Sequence, residues 1–511
     1  MPSTAIVRRN LYKDSVALMR IAHVVLAREG VRRATLLMGT PANKEMLAQA
    51  GMRSAAIEDA RPGDLMVIIE ADTIADLDAA TDECTRLLEG ERAASVREKA
   101  GDVPLRSLAM AHAVFEAAVL AQISVPGPYA AAEAMKALRQ GLHVFLFSDN
   151  VPLEQERAIK ALARAKGLLV MGPDCGTAVV RGVPLGFANA VREGAISLVG
   201  ASGTGLQEVM CQIHAQGHGI RHAIGTGSRD VAAEVGGSTM RQAIDLLAAD
   251  PGTRVIGIVS KPPAPAVARQ VLEQIAAIDK PCVVLFLGAD LAPDRVAKHV
   301  VPVTTLHDAA AAAVALLELK PFDAIPHTAD YTQLADGEAR RLDSGQRYVR
   351  GLYSGGTFRT EAELLWRDLG LAATAIDLGD DEFTVGRPHP MIDPSTRIER
   401  FAQEARDFST AAIVLDVVLG FGAHDDPAGA LAAAVTHAKA DCAKNGRHLP
   451  VVAFVCGTEE DPQRLSVQQA KLREAGAIVM PGSTAAARLA GEIGRLAAKR
   501  LADRAAHRQP R

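Results

Sequence analysis

The sequence contains two copies of one strand-and-helix pattern, and this repeat constrains the fold more than any other feature. The segment AISLVGASGTGLQE at 195–208 is echoed by VRGLYSGGTFRTE at 349–361. When the Gly-Thr pairs of the two segments are aligned, Glu208 also falls on Glu361. Further pairs follow in the same order, such as KPCVVLFLG and LPVVAFVCG, as expected of two consecutive copies of one α/β module.

The whole chain alternates short β-branched runs with helix-length segments rich in Ala and Leu. Most of the runs are continuously apolar, which is typical of strands covered on both faces. The alternation predicts βαβ units, parallel sheets and an α/β fold class. The predicted domain limits are 1–190 for an N-terminal domain, 191–320 for the first copy, 321–346 for a polar linker, 347–495 for the second copy and 496–511 for a basic tail.

Composition excludes several classes of function. Lys and Arg number 56 against 60 Asp and Glu, and a net charge of −4 provides no basic field for nucleic acid. The six cysteines form no CxxC pair and have no histidine at metal-ligand spacing, so no zinc site is predicted. The apolar runs are far shorter than the roughly 18–20 residues that span a bilayer, and the first residues do not form a signal peptide. We therefore expect a cytoplasmic protein without a nucleic-acid or membrane partner.

Both copies carry a Gly-rich turn between the strand and the helix. Such a turn exposes backbone N–H groups, and the positive end of the helix attracts an anion. A tight turn in which glycine only relieves steric clashes is the alternative. If the two helix ends converge, they form one site for a phosphate or carboxylate. The predicted anion-binding residues are Gly200, Ser202, Gly203 and Thr204 in the first copy and Gly355, Gly356 and Thr357 in the second.

A second irregular loop, MGPDCGT, follows a short strand that ends near Met171. Its polar groups lie at the carboxyl end of that strand, where open α/β sheets bind ligands. A nucleophilic Cys175 would need a base and an electropositive setting, and the sequence indicates neither, so a shaped loop with an unreactive thiol is the favoured alternative. The residues of the predicted pocket are Gly172, Pro173, Asp174, Cys175, Gly176 and Thr177.

A third candidate is the loop at 377–394, which is rich in charge, Gly and Pro and has no helix or strand pattern. Arg387 offers a bidentate grip on a carboxylate or phosphate, and His389 offers an acid–base group. We predict that Arg387, His389 and Asp393 are catalytic and that Asp380 contacts substrate. A surface loop stiffened by proline, with satisfied ion pairs, is the alternative.

Lysines near two of these loops extend the prediction. Lys261 follows a strand and is predicted to bind phosphate, although a solvated lysine is the usual explanation.

Asp425 and Asp426 are candidates for Mg²⁺, but adjacent carboxylates more often face water. The residues near the N-terminus that are assigned to the pocket of the MGPDCGT loop are Thr40, Asn43 and Lys44.

Together these motifs resemble the FdrA family, whose members look like the α subunit of succinyl-CoA synthetase followed by a further ligase-type domain. The resemblance covers nearly the whole chain, and it implies a Rossmann-like N-terminal domain followed by two flavodoxin-like, succinyl-CoA-synthetase-type parallel-sheet domains. The segments that carry it are MGTPANK (38–44), FSDNVPLE (147–154), LLVMGPDCGT (168–177), VGASGTG (199–205), SRDVAAEVGG (228–237), VSKPP (259–263), DLGDDEFTVGRPHPMIDP (377–394) and LDVVLGFGAHDDP (415–427).

The resemblance also implies roles and one departure. The counterpart of Gly172 to Gly176 in the ligases lines the CoA region, and the counterparts of Ser202 and Thr204 contact a phosphorylated histidine. The segment at 286–293, which corresponds to the region that carries this histidine, contains none, and no nucleotide loop of the ATP-grasp kind is present. The chain is therefore not expected to run an ATP-dependent CoA ligation by itself.

The FdrA family is also associated with ureide breakdown, which supplies our first hypothesis of function. The chain would be one subunit of a carbamoyltransferase that converts oxalurate and phosphate to oxamate and carbamoyl phosphate, with Arg387 and the helix ends stabilising the oxyanion. The alternatives are an acyl-CoA synthetase subunit that binds CoA, and a non-catalytic CoA- or anion-sensing scaffold. Phosphate is a substrate in the first hypothesis, CoA is a candidate cofactor, Mg²⁺ is left open, and a hetero-oligomer is expected.

Overall fold

The computed structural model describes all residues except 1, 12, 14, 50–51, 53, 97–104, 290, 292–295, 323, 325–330, 385–387 and 507–511. The described residues form two compact units. The first comprises Met1–Ser107 with Thr384–Pro388, and the second comprises Leu108–Phe383 with His389–Arg511. No helix in these ranges is long and apolar enough to cross a lipid bilayer.

The first unit is built on a three-stranded antiparallel sheet. Its elements are β1 (Ser3–Arg8), α1 (Ser15–Leu26), β2 (Val31–Met38), α2 (Pro41–Gln49), α3 (Ala55–Glu58), β3 (Leu65–Ala71) and α4 (Ile74–Val96). The strand order is β1-β3-β2, with both pairs antiparallel. Val67 and Ile69 of the central strand pack with α1 and α4, and Met66 and Ile68 pack with α2 and α3. The pairing therefore differs from the parallel sheets that we expected. A central antiparallel strand covered on both faces has the same apolar pattern as a parallel one, so the sequence pattern does not distinguish the two.

The second unit begins with a small parallel sheet of order β4-β5-β6. Its helices keep small or apolar residues toward this sheet, among them Ala130 and Ala134 of one helix and Ile159 of the next. The elements of this part are α5 (Leu108–Val114), β4 (Leu120–Ile123), α6 (Gly127–Arg139), β5 (His143–Leu146), α7 (Leu153–Ala165) and β6 (Val170–Met171).

Two larger sheets follow, one for each copy of the repeat. The elements around the first are β7 (Thr177–Val180), β8 (Val183–Gly186), β9 (Ile196–Gly200), α8 (Gly203–Ala215), β10 (Ile220–Gly225), α9 (Ser238–Ala249), β11 (Val255–Ser260), α10 (Pro265–Ala276), β12 (Cys282–Phe286), β13 (Val300–Pro302) and α11 (Leu306–Leu317). The elements around the second are α12 (Thr332–Arg340), β14 (Tyr348–Tyr353), α13 (Gly356–Asp368), β15 (Ala373–Asp377), α14 (Asp381–Thr384), α15 (Ser395–Arg406), β16 (Thr410–Val418), α16 (Pro427–Lys444), β17 (Val451–Cys456), α17 (Leu465–Glu474), β18 (Ile478–Met480) and α18 (Ser483–Ala506).

The two sheets share one strand order, which confirms the flavodoxin-like copies. The first contains the parallel series β13-β12-β11-β9-β10, and the second is β18-β17-β16-β14-β15. Both series run in the flavodoxin order, with the first strand of each copy between the second and the third. The first sheet is extended by β7 and β8, which pair antiparallel beside β10 and precede the predicted domain limit at 190.

Two buried glutamates join the copies. Glu208 on α8 accepts a hydrogen bond from the backbone N–H of Ser483, the first residue of α18, at 2.9 Å. Glu361 on α13 accepts one from the backbone N–H of Leu306, the first residue of α11, at 2.8 Å. Each carboxylate thus caps the last helix of the other copy and satisfies a helix-end donor that has no intrahelical partner. The aligned glutamates of the repeat are therefore the residues that fix α8 against α13.

The predicted linker and tail are partly helical. Helix α12 lies within 321–346, and its buried Ala335 and Ala339 face inward. Helix α18 continues into the predicted tail as far as Ala506 and contacts α12, with Arg500 donating to the carbonyl of Ala339 at 2.6 Å. Small residues on one face let these two helices pack closely.

A buried ionic cluster ties α7 to the loop before α9. The Lys160 ammonium lies 2.8 Å from both Glu156 Oε1 and Asp230 Oδ1, and all three side chains are almost fully buried. Asp230 also accepts the backbone N–H groups of Thr239 and Met240 at the start of α9, at 3.0 and 2.8 Å. The cluster therefore connects the small parallel sheet with the first large one.

Lys160→Met is expected to lower the free energy of unfolding by about 3–5 kcal/mol, because it removes the ammonium that two buried carboxylates share and leaves only Glu156 with another cation, Arg229 at 3.0 Å. Lys136→Met is the matched control, since the exposed pair of Lys136 with Glu133 contributes under about 1 kcal/mol. Urea unfolding followed by circular dichroism measures both variants. Equal effects in the two would contradict a stabilising role for the buried cluster.

Candidate functional site

The Gly-rich turns of the two copies meet. Ser202 Oγ and Thr357 Oγ1 are 2.7 Å apart and share a hydrogen bond. Neither α8 nor α13 has a side-chain cap, because the Ser202 hydroxyl bonds across to Thr357 and Gly355 has no side chain. The first N–H groups of both helices therefore have no side-chain acceptor on their own helix. We call Ser202–Thr204 and Gly355–Thr357 the paired helix ends.

Glycine allows this close approach. A side-chain carbon on Gly200 would lie 1.6 Å from the carbonyl oxygen of Val259 in the neighbouring strand. One on Gly355 would lie 2.4 Å from a side-chain carbon of Thr204 and 2.5 Å from its hydroxyl. Gly203 and Gly356 are the first residues of the two helices. The predicted anion-binding residues are thus brought together from both copies.

Lys261 and Asp377 flank the paired helix ends. The Lys261 ammonium lies 3.8 Å, and Asp377 Oδ2 2.8 Å, from the point where a side-chain carbon on Gly356 would sit. Lys261 follows β11 and Asp377 ends β15, so both lie at carboxyl ends of parallel strands, where α/β folds bind ligands. Lys261 makes no hydrogen bond within the described part of the chain. The structure therefore places the predicted Lys261 beside the helix ends and adds Asp377.

A buried carboxylate holds the second turn. Asp416 accepts the backbone N–H of Ser354 at 3.0 and 3.2 Å and also bonds the Ser354 hydroxyl. Arg397, itself 3% exposed, donates to Asp416 Oδ1 at 2.8 Å and to the carbonyl of Leu352 at 3.1 Å. This network fixes the backbone immediately before Gly355.

His389 lies close to the same turn. Its Nε2 is 2.5 Å from the point where a side-chain carbon on Gly379 would sit, and its ring contacts Phe187 at a centroid distance of 5.7 Å. Nδ1 accepts the backbone N–H of Met391 at 3.3 Å, which leaves the proton of the neutral ring on Nε2. Burial, followed by the positive charge of Arg397, lowers the pKa of His389 to about 4. The imidazole is therefore neutral at pH 7 and carries its proton on Nε2, and the catalytic role of His389 stays a prediction.

The other residues of the 377–394 loop have different positions. Arg387 lies outside the described residues. Asp393 accepts the backbone N–H of Ser395 at 2.9 Å, at the start of α15. Asp380 is exposed at the beginning of α14. The structure thus gives Asp393 a local helix-end contact.

The MGPDCGT loop borders the first turn through one residue. Thr177 Oγ1 is 3.4 Å from the point where a side-chain carbon on Gly203 would sit, and it donates to the carbonyl of Phe187 at 2.7 Å. Burial raises the pKa of the Cys175 thiol to about 12, so the thiol is protonated and unreactive at neutral pH. Asp174 bonds Ser228 in the loop before α9. The remaining residues of this predicted pocket, Gly172, Pro173 and Gly176, shape the same loop.

Thr40, Asn43 and Lys44 belong to the first unit and make local bonds there. The Thr40 hydroxyl accepts the backbone N–H of Asn43 at 3.3 Å, and the Asn43 side chain donates to the carbonyl of Met38 at 2.8 Å. The Lys44 ammonium donates to the carbonyls of Glu58 and Ala60, each at 3.0 Å. These bonds hold the start of α2 and the end of α3.

One of the two Mg²⁺ candidates, Asp426, is the N-cap of a helix. Asp426 accepts the backbone N–H of Gly429 at 3.1 Å and pairs with Lys471 at 2.6 Å. A carboxylate already neutralised by lysine is a poor ligand for a divalent cation. Asp426 therefore caps α16.

Sequence reasoning missed Asp377 as a site residue. A carboxylate at the end of a strand was the available signal, but Asp380 and Asp381 follow so closely that the sequence could not rank them. The strand end itself separates them, because β15 ends at Asp377.

Three family models match parts of the chain. Residues 191–288 match the CoA binding domain and residues 352–493 match CoA-ligase. Residues 1–104 match the heavy metal-associated domain of AllF. The residues described do not fit a metal ion, since they contain no group of three or more His, Cys, Asp or Glu side chains able to hold one. Burial also raises the pKa of the Cys84 thiol to about 11, away from the thiolate form that binds metals.

Several solved structures are similar over much of the chain. ATP citrate lyase from Methanothrix soehngenii, in complex with citrate and coenzyme A, is 14% identical and covers 80% of this chain and 86% of its own, with a TM-score of 0.34. PH0766 from Pyrococcus horikoshii OT3 is 13% identical and covers 74% of this chain and 84% of its own, with a TM-score of 0.33. Scores this low support no inference about the present chain.

A full-length relative decides the family. The uncharacterized protein YahF from Escherichia coli (strain K12) is 42% identical over 512 residues, which is 96% of this chain and 98% of YahF. The CoA-binding and CoA-ligase matches indicate an enzyme of the acyl-CoA ligase type, and no match supports the carbamoyltransferase of our first hypothesis. The chain belongs to the FdrA family and has an acyl-CoA synthetase-like architecture.

Proposed function

We propose that the chain is an acyl-CoA synthetase-like subunit that binds CoA and holds an acyl phosphate at the paired helix ends. One observation carries this proposal: the uncapped N-termini of α8 and α13 meet through Ser202 and Thr357, 2.7 Å apart, beside the Lys261 ammonium. The CoA-binding and CoA-ligase matches favour this alternative of our sequence analysis over carbamoyl transfer.

The electrostatics favour a phosphate group at this point. Each helix N-terminus carries the equivalent of about half a positive charge, and its free N–H groups point along the axis toward a bound anion. The Ser202 and Thr357 hydroxyls bond each other and can turn to donate to phosphate oxygens. Lys261 adds a full positive charge on the same side. A dianionic phosphate would therefore meet positive groups from both copies.

The CoA part of the proposal rests on the first copy. Residues 191–288 match a CoA binding domain, and the MGPDCGT loop reaches the helix end through Thr177. Because the segment at 286–293 has no histidine, we propose that a partner subunit supplies the nucleotide and the phosphate relay. The chain would then act within a hetero-oligomer.

The decisive experiment supplies the activated intermediate directly. Purified chain is titrated with CoA by calorimetry, then incubated with CoA and acetyl phosphate, and thioester formation is measured. Carbamoyl phosphate with oxamate is the competing arm. CoA binding with thioester formation supports the proposal, whereas turnover of carbamoyl phosphate alone would restore the carbamoyltransferase hypothesis.

Lys261→Met is expected to weaken binding of inorganic phosphate by at least about tenfold, because a charge-assisted hydrogen bond contributes about 1.5–3 kcal/mol. Lys298→Met removes an exposed lysine of the same copy and should leave the affinity unchanged. Isothermal titration of both variants with phosphate measures the difference. Equal affinities would place the anion away from Lys261.

Gly355→Ala should abolish phosphate binding by pushing the paired helix ends apart. The added carbon would overlap the Thr204 side chain, whereas the backbone φ of −152° at Gly355 accepts alanine without strain. Gly337→Ala is the control, since a carbon there meets nothing within 4 Å. Retention of wild-type phosphate affinity in Gly355→Ala would show that the anion does not need the two helices in contact.

A further inference from the structure

Asp377 has one oxygen held and one oxygen open. Its Oδ1 accepts the backbone N–H of Gly379 at 2.9 Å, which fixes the orientation of the carboxyl group. Its Oδ2 lies beside Gly356, the first residue of α13, and has no hydrogen-bond partner within the described ranges. The open oxygen therefore faces the place where we propose that the phosphate binds.

The surroundings of Asp377 bring its pKa toward neutral pH. Burial raises the pKa of its carboxyl group to about 6, and the carboxylates of Asp416 and Asp380 act in the same direction. The Lys261 ammonium opposes them. The neighbouring His389 ring is neutral at pH 7 and adds no charge. A carboxyl group with a pKa in this range can both take up and release a proton at neutral pH.

The other titratable groups near the site are either held protonated or bonded to the ends of helices. The Cys175 thiol is held protonated by burial. Glu208 and Glu361 are buried and bonded to the first residues of α18 and α11. Asp393 bonds the start of α15. Asp377 is the carboxyl group among these that has an oxygen directed at the paired helix ends.

We propose that Asp377 is the proton carrier of the acyl-transfer step, which rests on the proposed function. The CoA sulfur forms a bond to the acyl carbon while Asp377 Oδ2 takes the thiol proton. The bond between the acyl carbon and the phosphate oxygen then breaks, and its electron pair leaves with the phosphate. Asp377 returns the proton to that oxygen, so that the products are the thioester and hydrogen phosphate and the carboxylate is regenerated.

Asp377→Asn tests the proposal, with Asp368→Asn at the exposed end of α13 as the control. Thioester formation from acetyl phosphate and CoA is measured from pH 5 to 8, together with phosphate affinity. The wild-type kcat should rise with pH through about 6 and then level off, since the ionised carboxylate is the active form. Asp377→Asn should lower kcat about 100-fold and lose this rise. Its phosphate affinity should not weaken, because a negative charge near the anion has been removed.

Each outcome has a separate meaning. Turnover within threefold of wild type in Asp377→Asn, with the rise near pH 6 retained, would overturn the proton-carrier role and leave the proposed function standing. Parallel loss of kcat and phosphate affinity would make Asp377 a structural residue. Wild-type chain that binds CoA without forming thioester would remove the acyl-transfer step and the role of Asp377 with it. Absence of CoA binding would overturn the proposed function itself.

Discussion

The mutual capping by Glu208 and Glu361 is the interaction on which the site depends. Each carboxylate sits on the helix whose N-terminus forms half of the site, and each bonds the first residue of a helix in the other copy. Ser483 also donates its hydroxyl to Glu361 at 2.6 Å, so the two caps share one helix end. Rotation of α8 against α13 would break both caps and deprive the two buried carboxyl groups of their partners in the other copy, which is costly. The distance between the paired helix ends is therefore fixed by buried hydrogen bonds.

The two copies have diverged around this shared frame. By strand register, Val199 pairs with Ile258 in the first sheet and Leu352 pairs with Leu415 in the second, so Val259 and Asp416 occupy equivalent positions. The first copy is apolar there and places Lys261 two residues later. The second copy buries Asp416 with Arg397, and this negative charge helps to raise the pKa of Asp377. One copy thus contributes positive charge to the site and the other contributes a titratable carboxyl group.

The repeat made much of this arrangement predictable. A strand, a Gly-rich turn and a helix in two copies predicted duplicated α/β modules, and the alignment of Glu208 with Glu361 pointed to equivalent positions. The antiparallel pairing of β1 with β3 was not predictable, because a strand covered on both faces is apolar whichever way its neighbours run. The neutral state of His389 was also hidden, since it depends on burial and on the nearby positive charge of Arg397.

Only part of the candidate site could be recognised from the sequence, and Asp377 shows why. The turns that we propose bind an anion recur in both copies and are found by their glycines, because backbone N–H groups would do the binding. The proposed proton carrier does not recur, because β10, the equivalent strand of the first copy, ends at Gly225 and so has no carboxylate at its end. The pKa of Asp377 depends on the charges of Asp416 and Lys261, which belong to different copies. The proposed anion binding is thus a property of the repeated module, whereas the proposed proton transfer requires the two copies to differ and to be held together.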